Sequence, residues 1–199
     1  MPAREAWAAL QESMSVPETT IAIRIAGRAD AAALAELAAE TFPLACPPST
    51  TEAAVASFIA EHLSLERFTS YLEDPKRTLL VAVEPSDRLV GYTMLVAGDL
   101  GEPGDADAAA AVAGRPAIEL SKFYTRAAAH GTGVAGPLMA ATLDAAASAG
   151  AASVWLGVNE ENARAIRFYE KHGFAKVGRK HFALGDRVED DWVLEQPLD

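Results

Sequence analysis

The chain is poor in cysteine, in basic charge and in long apolar runs. Its one cysteine among 199 residues is Cys46, so no intramolecular disulfide can form, which fits a reducing compartment. Against 28 Asp and Glu stand only 17 Lys and Arg, and the net charge of -11 argues against a nucleic-acid surface, where phosphates need clustered cations. That surplus of acid suits cationic partners and equally suits plain solubility. No apolar run approaches the ~18 residues that span a bilayer. The opening MPAREAWAALQES carries Glu5 and Glu12 and lacks the apolar centre of a signal peptide. A soluble cytoplasmic protein is predicted, with no membrane and no nucleic acid among its partners. The histidines His62, His130, His172 and His181 are scattered with no i, i+4 pairing, so no metal site is predicted.

What the chain does have is ordinary globular composition, half of it apolar and 23% charged. Its length suits one domain burying about 70% of its unfolded surface. Residues 1–19 read as an N-terminal extension with a short helix at 4–13, and residues 20–199 as the domain. Alternation makes TIAIRIA (20–26) a strand, and Asp30 suits the N-cap of a helix with Leu34, Leu37 and Phe42 on one stripe. Further helices are predicted over 50–63, capped by Thr50 or Thr51, and over 64–74, ended by Pro75. Strands at 77–84 and 88–98 follow. Residues 99–116 read as a mobile loop with at most one helical turn. A strand at 117–125 leads through a glycine turn to a helix reaching about residue 149. A strand at 152–158, a helix at 162–172 and two closing strands complete an α/β pattern in which Trp155 and Trp192 read as strand core.

The turn HGTGVAGPLM (130–139) crowds three glycines and a proline into a helix start. Inside a helix glycine costs roughly 1 kcal/mol and proline about 3 relative to alanine. Pro137 lacks an N–H, which is harmless only in a first turn, so regular helix should begin no earlier than about Val134, with the amides of 131–135 facing outward. Unpaired amides, the positive end of the helix dipole and the missing Cβ atoms together make a cradle for a phosphate or diphosphate. A lone Gly-x-Gly is more often a tight turn that merely needs positive φ. A Walker-type loop is excluded, because Gly136 is followed by Pro137 rather than by Lys and Ser or Thr. GTGVAG matches the dinucleotide pattern, but RAAAH separates Thr125 from Gly131, and the chain that follows is too short for the remaining crossovers.

YTRAAAHGTGVAGPLM followed by VNEENARAIRFYEKHGF resembles the GNAT superfamily of acetyl-CoA-dependent N-acetyltransferases. The resemblance spans 20–198 in element order and is strongest over 117–175. The family's Arg/Gln-x-x-Gly-x-Gly/Ala motif reads here His130-Gly131-Thr132-Gly133-Val134-Ala135, and Asn-x-x-Ala-x-x-Phe-Tyr-Glu-Lys-x-Gly-Phe is matched over 162–174. The resemblance implies a mixed, mostly antiparallel central sheet of about seven strands flanked by helices. It also implies acetyl-CoA as donor and direct attack by a primary amine of a small molecule in a ternary complex. A homodimer is the expected assembly, since such folds commonly pair. His130 departs from the family's Arg or Gln, offering one donor where guanidinium offers a charged fork. Backbone amides are therefore expected to carry the diphosphate, with Arg126 as a helper.

By the same resemblance the cofactor site comprises Phe123, Tyr124 and Thr125 at the strand end, His130, Gly131, Thr132, Gly133, Val134, Ala135 and Gly136 at the turn, and Asn162 and Tyr169. Tyr169 is the expected general acid: a phenol with pKa near ~10 can protonate a departing thiolate yet stay un-ionised at neutral pH. Packing on the sheet is the competing role. Asn162 either opens its helix or contacts the cofactor, since Asn159 can also cap. Glu119, on the strand that lines the family's active site, is the expected base or else an exposed carboxylate, with Glu40 and Glu84 as rivals. Glu36, Glu40, Glu52, Glu61, Glu66, Glu73 and Asp74 make either an acidic entrance for a polyamine or simply solvated helix faces. TFPLACPP…YLEDP resembles the polyamine-type and broad bacterial branch. Protein amines, antibiotic-like amines and a non-catalytic acyl-CoA sensor stay open. Cys46, near where the family admits its acceptor, reads as an idle thiol, and His172 as a helix C-terminal cation.

Overall fold

The computed structural model describes residues 21–98, 105–184 and 187–198, the side chains of 182–189 excepted. The predicted extension at 1–19 and its helix lie outside these residues. Seven strands form one sheet, β1 (Ala22–Ile25), β2 (Arg77–Val83), β3 (Leu89–Ala97), β4 (Ala117–Thr125), β5 (Ser153–Asn159), β6 (Ala175–Leu184) and β7 (Arg187–Pro197). Their order is β1-β2-β3-β4-β5-β7-β6, and every pairing is antiparallel except β4 with β5. The helices are α1 (Ala31–Thr41), α2 (Glu52–His62), α3 (Leu65–Glu73), α4 (Ala106–Ala111), α5 (Ala135–Ser148) and α6 (Ala163–Lys171).

Both faces of the sheet are covered, which is why RTLLVAV in β2 reads as one apolar run rather than alternating. Leu79, Val81 and Val83 face α1 and α3 with Tyr92 and Met94, whereas Leu80 and Ala82 face Leu138 of α5. On that second face Met139 joins Leu120, Leu156 and Ile166 of α6. Thr142 fixes α5 against β3. Its hydroxyl donates to Leu138 O at 2.7 Å, so Thr93 must supply the proton of their 3.0 Å bond.

Local signals set the helix ends. Thr51 and Ser64 accept from the third amides of α2 and α3 at 3.2 and 3.3 Å. Asp30 stands at the N-cap of α1 but does not cap it through its side chain. Its carboxylate instead takes Arg24 at 2.7 and 2.8 Å and the Gly27 amide at 2.8 Å, because a guanidinium fork on β1 competes better than a helix amide. The stretch expected to be a mobile loop contains α4, whose Ala108 packs with Val112 against Trp155 and Val193. Asp105 caps it at 3.0 Å.

Two irregularities shape the middle of the sheet. Leu120 pairs with Leu95 and Lys122 with Met94, so Ser121 is an extra residue bulged out of β4. Parallel pairing of β4 with β5 stops at Glu119 and Trp155, beyond which the strands part.

Candidate active site

The parting of β4 from β5 leaves the backbone of 120–125 with no ladder partner on its β5 side. The Arg126 amide donates to Val90 O at 2.9 Å, toward β3. Alternation along an antiparallel ladder then turns the Phe123 and Thr125 N–H groups into the gap. Two adjoining cavities occupy it, of about 250 and about 160 Å³. Phe123, Tyr124, Asn162 and Tyr169 line both. The larger extends under α2 to Phe42, Phe58, Glu119 and Lys122, the smaller toward His130 and Ala135.

The glycine turn lies at the mouth of the smaller cavity. Gly131 and Gly133 have φ of +79° and +87°, and nothing stands within 4 Å of where a Cβ would be. Helix α5 begins at Ala135, placing Pro137 in its first turn. Among the described residues the N–H groups of Gly131, Gly133, Val134, Ala135 and Gly136 have no partner. Thr132 departs from the expected outward set, its amide donating to Ala129 O at 3.3 Å. A helix start with open amides and open space in front fits a diphosphate.

The ring of His130 turns inward. Its Nε2 lies 3.2 Å from Thr125 O, which can only accept, so the single donor of a neutral imidazole is committed there. Arg126 does not reach the turn. Its guanidinium is buried, donating to Leu89 O at 2.9 Å and bonded to Glu40 of α1. The expected help to the diphosphate is thus overturned, because this cation ties α1 to the start of β3. Asn162 caps α6, accepting from the Ala165 amide at 3.0 Å, while Asn159 binds the Glu161 amide at 2.9 Å. Asn162 thus serves as the cap and also lines both cavities. His172 ends α6 as expected, its Nδ1 2.7 Å from Phe168 O.

Tyr169 projects from α6 between the cavities, its ring edge-on to Phe123, Phe168 and Phe174 at 6.3, 5.6 and 5.7 Å. Burial lifts its phenol above the ordinary value, so it stays protonated at any working pH. Tyr124 is raised likewise, by burial first and then by neighbouring Tyr169, Cys46 and Asp191. It stacks on Tyr92 at 5.6 Å.

A family model described as acetyltransferase (GNAT) family matches residues 32–174. The chain belongs to the GNAT acetyltransferase family. It is 46% identical over 169 residues to uncharacterized N-acetyltransferases of Mycobacterium bovis and Mycobacterium tuberculosis, covering 85% of this chain and 98% of each relative. The PaiA N-acetyltransferase of Thermoplasma acidophilum, solved in complex with coenzyme A, superposes with a TM-score of 0.70 at 19% identity, over 90% of this chain and 99% of that one. YncA of Salmonella typhimurium, solved with its cofactor acetyl-CoA, gives 0.61 at 21% identity, over 91% and 95%. These two likenesses concern the fold.

In this GNAT fold the carboxylates that reach the cavity are not those the helices suggested. None of the seven helix acids from Glu36 to Asp74 lines the larger cavity, whose acids are Glu119 and Asp191. Glu73 pairs with Arg28, and Asp74 with Arg77 at 3.0 Å. Asp191 is buried on β7 opposite Lys180, and a Cβ on Gly157 would stand 3.3 Å from its Oδ2 and 3.0 Å from Lys180 Cδ. Lys122 on the cavity wall and exposed Arg164 beside the smaller cavity also went unmarked in the sequence. Cys46 lines the larger cavity, its Sγ 3.5 Å from Phe42 O. Among the described residues no cluster of three or more His, Cys, Asp or Glu side chains could hold a metal, and no helix is long and apolar enough to cross a membrane.

Proposed function

We propose that the protein transfers an acetyl group from acetyl-CoA to a primary amine of a small molecule, by direct attack in a ternary complex. The observation that carries this reading is the meeting of two cavities at Tyr169, one running to the open amides of α5 and the other to Glu119. The donor supplies an activated thioester carbonyl and a thiol leaving group. Gly131, Gly133, Val134, Ala135 and Gly136 hold the diphosphate through main-chain amides, and exposed Arg164 adds the cation that buried Arg126 does not. The Phe123 amide is the donor available to polarise a carbonyl in the gap. Tyr169 keeps its proton on Oη and offers it to the sulfur, with Tyr124 beside it. Glu119 takes a proton from the acceptor ammonium, directly or through water.

The catalytic unit in this reading is 20–199, with 1–19 appended, and a cytoplasmic homodimer is carried as part of the same proposal. The polyamine acceptor loses the support of the helix acids, since they lie off the cavity. Thiol release from acetyl-CoA over a panel of primary amines tests the reading. Turnover of at least one amine is expected, and Tyr169→Phe should lower kcat by about 100-fold with KM little changed. An undiminished kcat dismisses Tyr169 as the acid. Tight coenzyme A binding with no turnover on any amine would select the sensor instead.

A further inference from the structure

The larger cavity holds two lysines in different states. Lys180 is ion-paired with Asp105 and lies over the Trp155 ring at 5.4 Å. Lys122 has no carboxylate within 4.0 Å among the described residues. It lies over the Tyr71 ring at 5.6 Å, a ring that already faces the Arg77 guanidinium at 4.7 Å. An ammonium drawn out of water with no carboxylate in contact, Glu119 acting on it only from a distance, is unfavourable, and a methionine or leucine would fill the same wall more stably. Its presence in a ligand-sized cavity points to a ligand that brings an anionic group into contact with it.

The rest of the wall says what else that ligand carries. Glu119 and Asp191 suit an ammonium. Phe42 and Phe58, stacked at 4.4 Å and 6°, with Leu63 beside them, suit an apolar group. Lys122 is the strand neighbour of Phe123 and lies two residues from Tyr124. All three line the larger cavity, so an anion on the Lys122 ammonium and an amine facing the gap fall within the compass of one small molecule.

We propose that the acceptor is an amino acid with an apolar side chain, or an analogue that keeps a carboxylate beside its amine, and that Lys122 binds that carboxylate. The inference rests on the acetyl-transfer reading and narrows it. A polyamine would meet Lys122 as a like charge and is disfavoured.

Two measurements test it on the full chain. In the first, leucine, methionine and phenylalanine are each compared with the amine left after decarboxylation, by thiol release. The amino acids should show kcat/KM at least about tenfold higher, the worth of one charge-assisted hydrogen bond. The Lys122→Met variant should bring that ratio close to one, and Lys122→Arg should keep it. In the second, calorimetry without acetyl-CoA compares N-acetylleucine with N-(3-methylbutyl)acetamide. Only the first carries a carboxylate and neither has an ammonium, so binding is read apart from turnover. Wild type and Lys122→Arg should prefer N-acetylleucine by about tenfold and Lys122→Met should not. Decarboxylated amines turned over as well as the amino acids, or a ratio untouched by Lys122→Met, overturn the inference and leave the acetyltransferase reading standing. No turnover of any amine, with no preference in calorimetry, overturns both.

Discussion

Glu119 and Lys122 face the same side of β4 although they stand three positions apart, an odd spacing that regular alternation would put on opposite faces, because Ser121 is bulged out between them. Their cross-strand partners Val96 and Met94 both lie on the α1 and α3 face. Without the bulge Lys122 would point toward α5, into the apolar layer around Leu138 and Met139. The bulge brings a cation to the wall that already carries Glu119, and both opposite charges enter the larger cavity from one strand.

Burial holds the Lys122 ammonium at a pKa of about 8, down from 10.5. Glu119 on β4 opposes that shift and Arg77 on β2 adds to it, while Tyr71 of α3 presents its ring. A depressed lysine pKa means that the unfolded chain binds more protons than the folded one between about pH 8 and 10.5, so stability should rise with pH across that window. Below pH 8 the penalty is present in full, and Lys122→Met should stabilise the fold at pH 7 by about 1 to 3 kcal/mol. By pH 10 most of the difference should be gone. Urea midpoints of both proteins at the two pH values check this. A less stable variant at pH 7 would mean that the ammonium holds the Tyr71 ring in place rather than burdening the fold.

Arg126 and Arg164 should separate stability from cofactor binding. Arg126→Ala leaves Leu89 O without its donor and Glu40 without its partner, and should destabilise by about 1 to 3 kcal/mol. Its KM for acetyl-CoA should stay within about twofold of wild type. Arg164 is exposed on the first turn of α6, so Arg164→Ala should leave stability within about 0.5 kcal/mol. Its KM for acetyl-CoA should rise severalfold, by an amount that shrinks as salt is added. Thermal unfolding and KM at two ionic strengths distinguish the pair. A raised KM in Arg126→Ala alone would return that residue to the diphosphate.

How much of this was legible beforehand follows the range of the signal. AIELSKFYT opens in alternation, is rich in strand-favouring residues and is bounded by Pro116 and the glycine turn, so β4 falls at 117–125 as the sequence predicts. Pro137 fixes the start of α5 to within one residue, because the rule behind it is local. The bulge at Ser121 has no such mark, neither glycine nor proline, and depends on how β3 meets β4. Arg126 follows the strand end and precedes the glycine motif, so its position suggests a phosphate contact. Its actual partner Glu40 is 86 residues away and could be seen only in space. Asp191 escaped for the same reason, since β7 inserts beside β5 and carries it under the cavity.

Glycines at the turn should divide by what requires them. Gly133, at φ +87°, needs a conformation that side chains resist, so Gly133→Ala should destabilise by about 1 kcal/mol. Gly136 lies in the first turn of α5 without a positive φ, and the nearest atom to an added Cβ is His172 Nε2 at 3.8 Å. Free of ligand, Gly136→Ala is a helix residue improved by about 0.5 to 1 kcal/mol. In the proposed cradle the same methyl group would crowd the diphosphate where it approaches the main chain, so KM for acetyl-CoA should rise about tenfold or more while the protein becomes harder to unfold. Opposite signs from one methyl group are what a ligand cradle requires and what a merely tight turn does not. A more stable Gly136→Ala enzyme with an unchanged KM would therefore place the diphosphate elsewhere and leave the glycines of this turn to backbone geometry alone.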